Sequence, residues 1–407
     1  MAGLRSEHAC FYMRFMNRLS IALFGVLLIF FGGCKKPSAP EQPPVPEAPP
    51  LPVPTPPPVI NVGVFLPLKG LGQGSANEAL NGLSMAAEEV NASGGVIGHV
   101  IRLVVRDTRA EPARAAKAVR NLVSEDKSVA VIGGLSAGSA EAAMTSDEIG
   151  IPMLALGSTM PGIPSHEPWI FRICQTDFHS GRVMAKFAAT LGARRALVLY
   201  DPADEFSKTL SLAFGKQFKR TPESRIAGEA FPTGTLDFTK HLRTIQKKNP
   251  DVVFLPLAAD QAAPILRKAR ELGLTMPFLG TANWDSLEFP SLVGDSGNNT
   301  YFPGRFNPDG PSDAVQLFLE VYERKNGSFP SASAAMGYDA LVVLADAIRR
   351  ANSTEPEKLR EALAATREFP GLTAQITTDP ELARTEAVPI LKLEGGKISF
   401  LEMIETN

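Results

Sequence analysis

From Val59 onward, short apolar runs alternate with longer stretches in which apolar residues recur at helical spacing. Val62-Gly63-Val64-Phe65-Leu66, Ile101-Arg102-Leu103-Val104-Val105, Val129-Ala130-Val131-Ile132 and Pro152 to Leu156 read as strands, most of them too uniformly apolar to have a solvent face. Between the first two, Leu80, Leu83, Ala87 and Val90 fall on one helical face. Ser75, with Glu78 three residues on, has the spacing of a capping box that would open this helix, and Ser93-Gly94-Gly95 would stop it. Helices are predicted from Pro112 to about Ser124 and from the loop Gly133-Gly134-Leu135-Ser136 to about Ile149. Parallel strands need crossovers, and helices of this length supply them, so the first half reads as a doubly wound α/β lobe.

Trp169-Ile170-Phe171-Arg172-Ile173 leads out of that lobe and a second series begins. It runs through a helix from Ser180 to Leu191, a strand Ala196 to Tyr200, helices Phe206 to Phe218 and Asp237 to Lys248, a strand Val252 to Leu255, a helix Gln261 to Leu272 and a strand Pro277 to Leu279. Gly337-Tyr338-Asp339-Ala340 opens a long apolar helix, and the last segment alternates like strands added to an existing sheet. Terminal elements that return to earlier sheets would break both lobes in the linear sequence.

The N-terminal end follows a different logic. Arg14 and Arg18 precede the apolar run Leu19 to Phe31, which is shorter than the about 20 residues of an ordinary membrane span. Gly32-Gly33-Cys34, followed by Lys35-Lys36 and a polar tract, resembles the processing site of bacterial lipoproteins, where the cysteine is acylated and becomes the first residue of the mature chain. Phe31 stands where that pattern usually has Leu; a cleaved signal without lipidation and an uncleaved anchor are the other readings. The stretch before Arg14 is long for a signal, which points to Met13 or Met16 as the translation start. On each reading the folded part is extracytoplasmic. Twelve of the 34 prolines lie between Pro37 and Pro58, an extended spacer of roughly 3.1 Å per residue between bilayer and domain. Cys10 would be discarded and Cys34 acylated, so Cys174 would have no disulfide partner in the mature domain. A formal charge of −2 gives no nucleic-acid footprint.

The order and spacing of several short motifs are similar to the branched-chain amino-acid (Leu/Ile/Val) binding protein family of type I periplasmic binding proteins. They are Val62-Gly63-Val64, Gly82 with Asn91-Ala92-Ser93-Gly94-Gly95, and Val104-Val105-Arg106-Asp107-Thr108 with Ala116 and Ala118. Further along come Val131-Ile132-Gly133-Gly134, Gly150-Ile151-Pro152 with Gly157-Ser158-Thr159, Phe171-Arg172, Asp237-Phe238-Thr239, Asn249-Pro250-Asp251-Val252-Val253 and Gly337-Tyr338-Asp339-Ala340. The resemblance spans about Ile60 to Ile404 and implies two Rossmann-like α/β lobes joined by three hinge crossovers. Residues 1–34 would be the lipoprotein signal and 35–59 the proline-rich linker, with residues 60–177 and 302–370 in lobe 1 and 178–301 and 371–407 in lobe 2. The crossovers are expected near Thr176 to His179, Thr300 to Pro303 and Pro370 to Thr373.

The resemblance also implies where a solute would lie. Ala137 occupies the position of a carboxylate-binding serine, so its backbone N–H, or the hydroxyl of Ser136 or Ser139, would have to serve; both serines could equally be helix caps. Gly157 and Thr159 match positions that offer a backbone group and a hydroxyl to an amino-acid head group, with Ser158 beside them. Phe206 falls where the family has a tyrosine lid, Ala258 where it has a second tyrosine, and Ala282 where it has the acid that meets the ligand ammonium. A buried ammonium needs an anion, which leaves Asp285 or Asp260 to replace the lost one. Trp284 either lines the mouth or plugs the hinge, and Tyr301 and Arg305 are further cleft candidates.

The function so implied is capture of an amino acid, amide or aromatic or aliphatic acid and its delivery to an ABC permease. A ligand sensor and a structural or regulatory envelope lipoprotein acting through protein contacts are the alternatives. No catalytic residue, cofactor or metal is expected: His179 and His241 lack a nucleophile-and-base pattern, the five histidines lack metal-ligand spacing, and Gly133-Gly134 is not followed by the Lys of a phosphate loop.

Overall fold

In the computed structural model, the described residues are 57–70, 72–135, 139–157, 169–173, 177–310, 312–378 and 387–405, with the side chains of 177–179 left aside. The proposed signal, Cys34 and nearly all of the proline-rich spacer lie outside them. The first series of elements is β1 (Val59–Leu66), α1 (Gln73–Ala92), β2 (Val100–Asp107), α2 (Pro112–Ser124), β3 (Val131–Gly133), α3 (Ser139–Ile149), β4 (Met153–Ala155) and β5 (Ile170–Arg172). Its five strands are parallel, in the order β2-β1-β3-β4-β5. The second series is α4 (Asp177–Thr190), β6 (Arg195–Tyr200), α5 (Glu205–Phe218), β7 (Arg225–Ala230), α6 (Thr239–Lys248), β8 (Val252–Phe254), α7 (Ala259–Glu271), β9 (Phe278–Leu279), α8 (Phe289–Val293) and β10 (Thr300–Pro303). Within it the order β7-β6-β8-β9-β10 repeats that of the first sheet when strands are counted from its own start. The two lobes are therefore doubly wound on one plan.

The remaining chain serves both lobes. After β10 come α9 (Asp313–Asn326), α10 (Ala332–Ala351), α11 (Pro356–Ala364), the short antiparallel pair β11 (Phe369–Pro370) and β12 (Gln375–Ile376), then β13 (Val388–Glu394) and β14 (Lys397–Ile404). The three helices join the first lobe. β13 pairs antiparallel with β10, and β14 with β13, extending the second sheet to seven strands.

Apolar runs become strands here because both faces of each sheet are covered. Val62, Val64, Ile132 and Leu154 face α1, α10 and α11, whereas Phe65, Val131 and Met153 face α2 and α3. The second lobe alternates likewise: Leu197, Leu199 and Val253 meet α6, α7 and α8, and Val198, Val252 and Phe254 meet α4 and α5.

Two close helix crossings depend on glycine. A Cβ on Gly82 of α1 would overlap the carbonyl oxygen of Ala334, and one on Gly337 of α10 would overlap that of Ala79, so these helices meet backbone to backbone. Gly181 of α4 lies similarly against the Leu210 carbonyl of α5, at 2.8 Å from where its Cβ would be.

Three expectations need correction. α1 begins at Gln73 behind Gly72 in the left-handed region (φ 81°), with no side-chain cap. Glu78 does not return to Ser75; its buried carboxylate accepts the Tyr322 hydroxyl at 2.7 Å and the Ser331 N–H at 3.2 Å, tying α1 to α9 and α10. The second crossing lies beyond Pro303, since all of β10 is in the second sheet, while Phe306 is already buried in the first lobe. The third is also later, because Leu372 and Ile376 are buried in the first lobe. Asp339 of α10 is the reason: its carboxylate accepts the Leu372 N–H at 2.7 Å, the Thr373 N–H at 2.9 Å and the Thr373 hydroxyl at 2.6 Å.

Candidate functional site

The carboxyl ends of both sets of parallel strands point to the junction between the lobes. In the first lobe, Asp107 at the end of β2 accepts the N–H groups of Leu68 and Arg109, each at 3.0 Å, and so fixes the loop that leads into α1. The loops after β3 and β4 are zipped together by Leu156 N–H to Gly133 O at 2.8 Å and Gly157 N–H to Gly134 O at 3.3 Å. Gly157 thus spends its N–H within the protein. A Cβ there would lie 3.0 Å from Cδ2 of Leu135, so a larger residue would require that side chain to shift. Ser139 begins α3, is buried, and packs against Gly134. Ser136, Ala137, Ser158 and Thr159 lie outside the described residues.

In the second lobe Phe206 sits in the first turn of α5, half-buried over the lobe's core. That turn is capped by Asp204, whose carboxylate accepts the N–H groups of Phe206 at 3.2 Å and Ser207 at 3.4 Å. Ala258 precedes α7, and Gln261 accepts its N–H at 3.3 Å. Asp260 is the first-turn acid of α7 and accepts the Gln261 N–H at 3.0 Å.

The turn after β9 differs from what the sequence suggests. Trp284 does not line the mouth: it is 0% exposed, donates its indole N–H to Leu257 O at 3.0 Å, and stacks on Phe289 with ring centroids 4.8 Å apart. It fills the core beneath the turn Ala282–Trp284 and lies against Gly280, where a side chain would collide with the indole. Tyr301 is turned to the α4 face of the sheet, with its ring 5.2 Å from that of Phe187, and so packs away from the cleft. Asp285 is committed to the hinge, accepting the backbone N–H of Arg305 at 3.0 Å, and burial raises its carboxyl above the ordinary range. It is not among the residues that line the cavity beside Arg305.

Arg305 is the residue whose importance the sequence signalled least. Its guanidinium donates to Ala282 O at 3.0 Å and to Asn283 Oδ1 at 3.1 Å, holding the β9 turn to the strand that leads into the second crossing. It lines a cavity of about 280 Å³ that also touches Ala282, Ile173 at the end of β5, Met336 of α10, Thr373, and Val388 of β13. All three passages between the lobes therefore border one space. The lobes also meet at the rim, where the Glu288 carboxylate lies against Gly74 in the first turn of α1. Negative charge at that end of a helix is favourable.

Among the described residues there is no group of three His, Cys, Asp or Glu side chains able to hold a metal, and no helix long and apolar enough to cross a membrane. His241 is half-buried with Nδ1 3.0 Å from Glu229 Oε1, a contact between α6 and β7.

Two lobes of one topology, hinged at three passages around a cavity, define a bilobal binding protein. The chain belongs to the periplasmic binding protein family, whose model matches residues 59–395. It is 29% identical to an amino acid binding protein of Pseudomonas aeruginosa over 74% of this chain and 81% of that one. Among solved structures it is similar to a leucine binding protein of Thermotoga maritima, with 31% identity, a TM-score of 0.77, and coverage of 85% of this chain and 98% of that one. A branched-chain amino acid transporter substrate binding protein of Streptococcus pneumoniae, in complex with isoleucine, matches at 25% identity and a TM-score of 0.75, covering 85% and 99%.

Proposed function

We propose that this protein is the extracytoplasmic solute-binding component of an ABC transporter, capturing an amino acid or related small amphipathic solute between its lobes and presenting it to a permease. The observation that carries this reading is the cavity bordered by all three interlobe passages, because a molecule that touches both lobes there stabilises their closed arrangement. The relatives, which include amino-acid and leucine binding proteins, support it. On this reading the protein acts by reversible capture and not by catalysis; of the sequence candidates Ala282 lines the cavity, whereas Gly157, Phe206 and Ser139 are not among its lining residues, and Ser136, Ala137, Ser158 and Thr159 are kept as proposed contacts. Acylation of Cys34 would hold the domain at the membrane on its proline-rich spacer.

Native mass spectrometry of the protein as isolated, and again after refolding free of small molecules, tests the capture. A bound mass that is lost on refolding, and that raises the melting temperature when added back, is the expected result. No bound mass, together with no stabilisation by amino acids, amides or carboxylic acids, would overturn the reading.

A further inference from the structure

The hinge cavity is chemically one-sided. Among the described residues that line it, Arg305 alone is ionisable and none is a carboxylate. Its other polar groups, such as Ser180, Asn307 and Thr373, are neutral, and much of the wall is the apolar surface of Ile173, Met336, Val388 and Met403.

Arg305 has spare donor capacity in a fixed orientation. One N–H of Nη1 goes to Ala282 O and one of Nη2 to Asn283 Oδ1, and the backbone N–H goes to Asp285. A guanidinium carries five N–H donors, so three remain without a partner among the described residues. The two bonds already made fix the plane of the fork. They go to neutral acceptors, which leave the charge to be met by something else. Asp285 gives partial compensation from behind the turn, where it is not part of the cavity wall.

Among the described lining residues an ammonium would meet a like charge and no anion, whereas a carboxylate would meet a guanidinium with bonds to give. We propose that the hinge cavity takes a small monocarboxylate with an apolar tail and no ammonium group, its carboxylate on Arg305 and its tail between Met336, Val388 and Met403. This rests on the solute-capture reading and narrows the solute class of the cleft. At about 280 Å³ the space suits an acid of some eight to ten heavy atoms. Because Ile173, Arg305 and Ala387 adjoin the three different passages, filling it would couple occupancy directly to the hinge.

Titration calorimetry with hexanoate, hexanamide, hexylamine and leucine tests the proposal on the purified full chain, on Arg305→Gln and on Ala374→Phe, which places a ring in the cavity from the β11–β12 turn. Hexanoate should bind the unaltered protein at least about tenfold more tightly than hexanamide, and hexylamine should not bind. Arg305→Gln should lose about tenfold or more in hexanoate affinity and so erase the preference over hexanamide. Ala374→Phe should weaken both, and supplies the comparison if Arg305→Gln does not fold. Binding of leucine without hexanoate would overturn the monocarboxylate assignment and leave solute capture standing. Equal hexanoate affinity in either folded variant would also overturn it. Silence towards all four probes would overturn it too, and solute capture as well if no solute co-purifies.

Discussion

The carboxyl group of Asp339 is fully buried, and two opposing effects act on it. Burial drives it towards the neutral form, while the Leu372 and Thr373 donors favour the ionised form; burial prevails, and the pKa is pushed up to about 6 from an ordinary 3.8. That rise corresponds to about 3 kcal/mol between the two protonation states. The sign follows from linkage: the folded chain binds this proton more tightly than the unfolded chain, so the group's contribution is fully present below 3.8 and is lost as pH rises through about 6. Asp339→Asn removes the titration at nearly constant shape. Urea unfolding of both proteins, followed by circular dichroism between about pH 4 and pH 8, cancels the carboxylates they share. The unaltered protein should gain about 3 kcal/mol over the variant on going from high to low pH, most of it between pH 6 and pH 4. A difference that stays flat within about 0.5 kcal/mol, or that runs the other way, would show that the three hydrogen bonds outweigh burial and would refute the reasoning.

Other predictions concern packing and closure. Gly337→Ala, which drives a methyl group into the Ala79 carbonyl, should cost about 1–3 kcal/mol, read as a fall in melting temperature. Tyr322→Phe leaves the buried Glu78 carboxylate with one donor fewer and should cost about 1.5–3 kcal/mol in urea unfolding. Trp284→Ala should cost about 3–5 kcal/mol by the same measurement, whereas a tryptophan at the cleft mouth would cost far less. Glu288→Ala removes the negative group from the first turn of α1 and should weaken solute affinity about two- to fivefold with little change in unfolding free energy; unchanged affinity would show that the rim contact does not assist closure.

Most of the architecture was legible because doubly wound sheets bury strands on both faces, and such strands announce themselves as apolar runs. β7 was missed for the same reason: Arg225-Ile226-Ala227-Gly228-Glu229-Ala230 is an edge strand, partly exposed, with no apolar run to mark it. α11 was also missed, since it buries only Leu359 and Leu363, and so was α9, although its buried Val315, Phe318, Leu319 and Tyr322 keep the i, i+3, i+4, i+7 spacing of one helical face. The capping-box pattern at Ser75 failed because Glu78 finds a partner in Tyr322, 244 positions away, which no local rule detects. The site was legible only as loops at strand ends. Which way Trp284 and Tyr301 turn is decided by Phe289 and Phe187 on neighbouring elements, and the tie between Asp285 and Arg305 depends on how β10 follows the β9 turn.

The placement of β13 between β10 and β14 has a consequence for how the molecule comes into being. A chain that emerges N-terminus first can form β6 to β10 early, but β10 then has a free edge until the last strands arrive. An unpaired, apolar strand edge is a template for pairing with another chain. α1 likewise waits for α10, because the glycine-to-glycine crossing that covers it lies more than half the sequence away. Neither lobe can be completed as an independent unit during synthesis, so the fold favours assembly after the whole chain has been released. Truncation before Val388 should accordingly yield aggregates of the second lobe rather than a smaller folded protein.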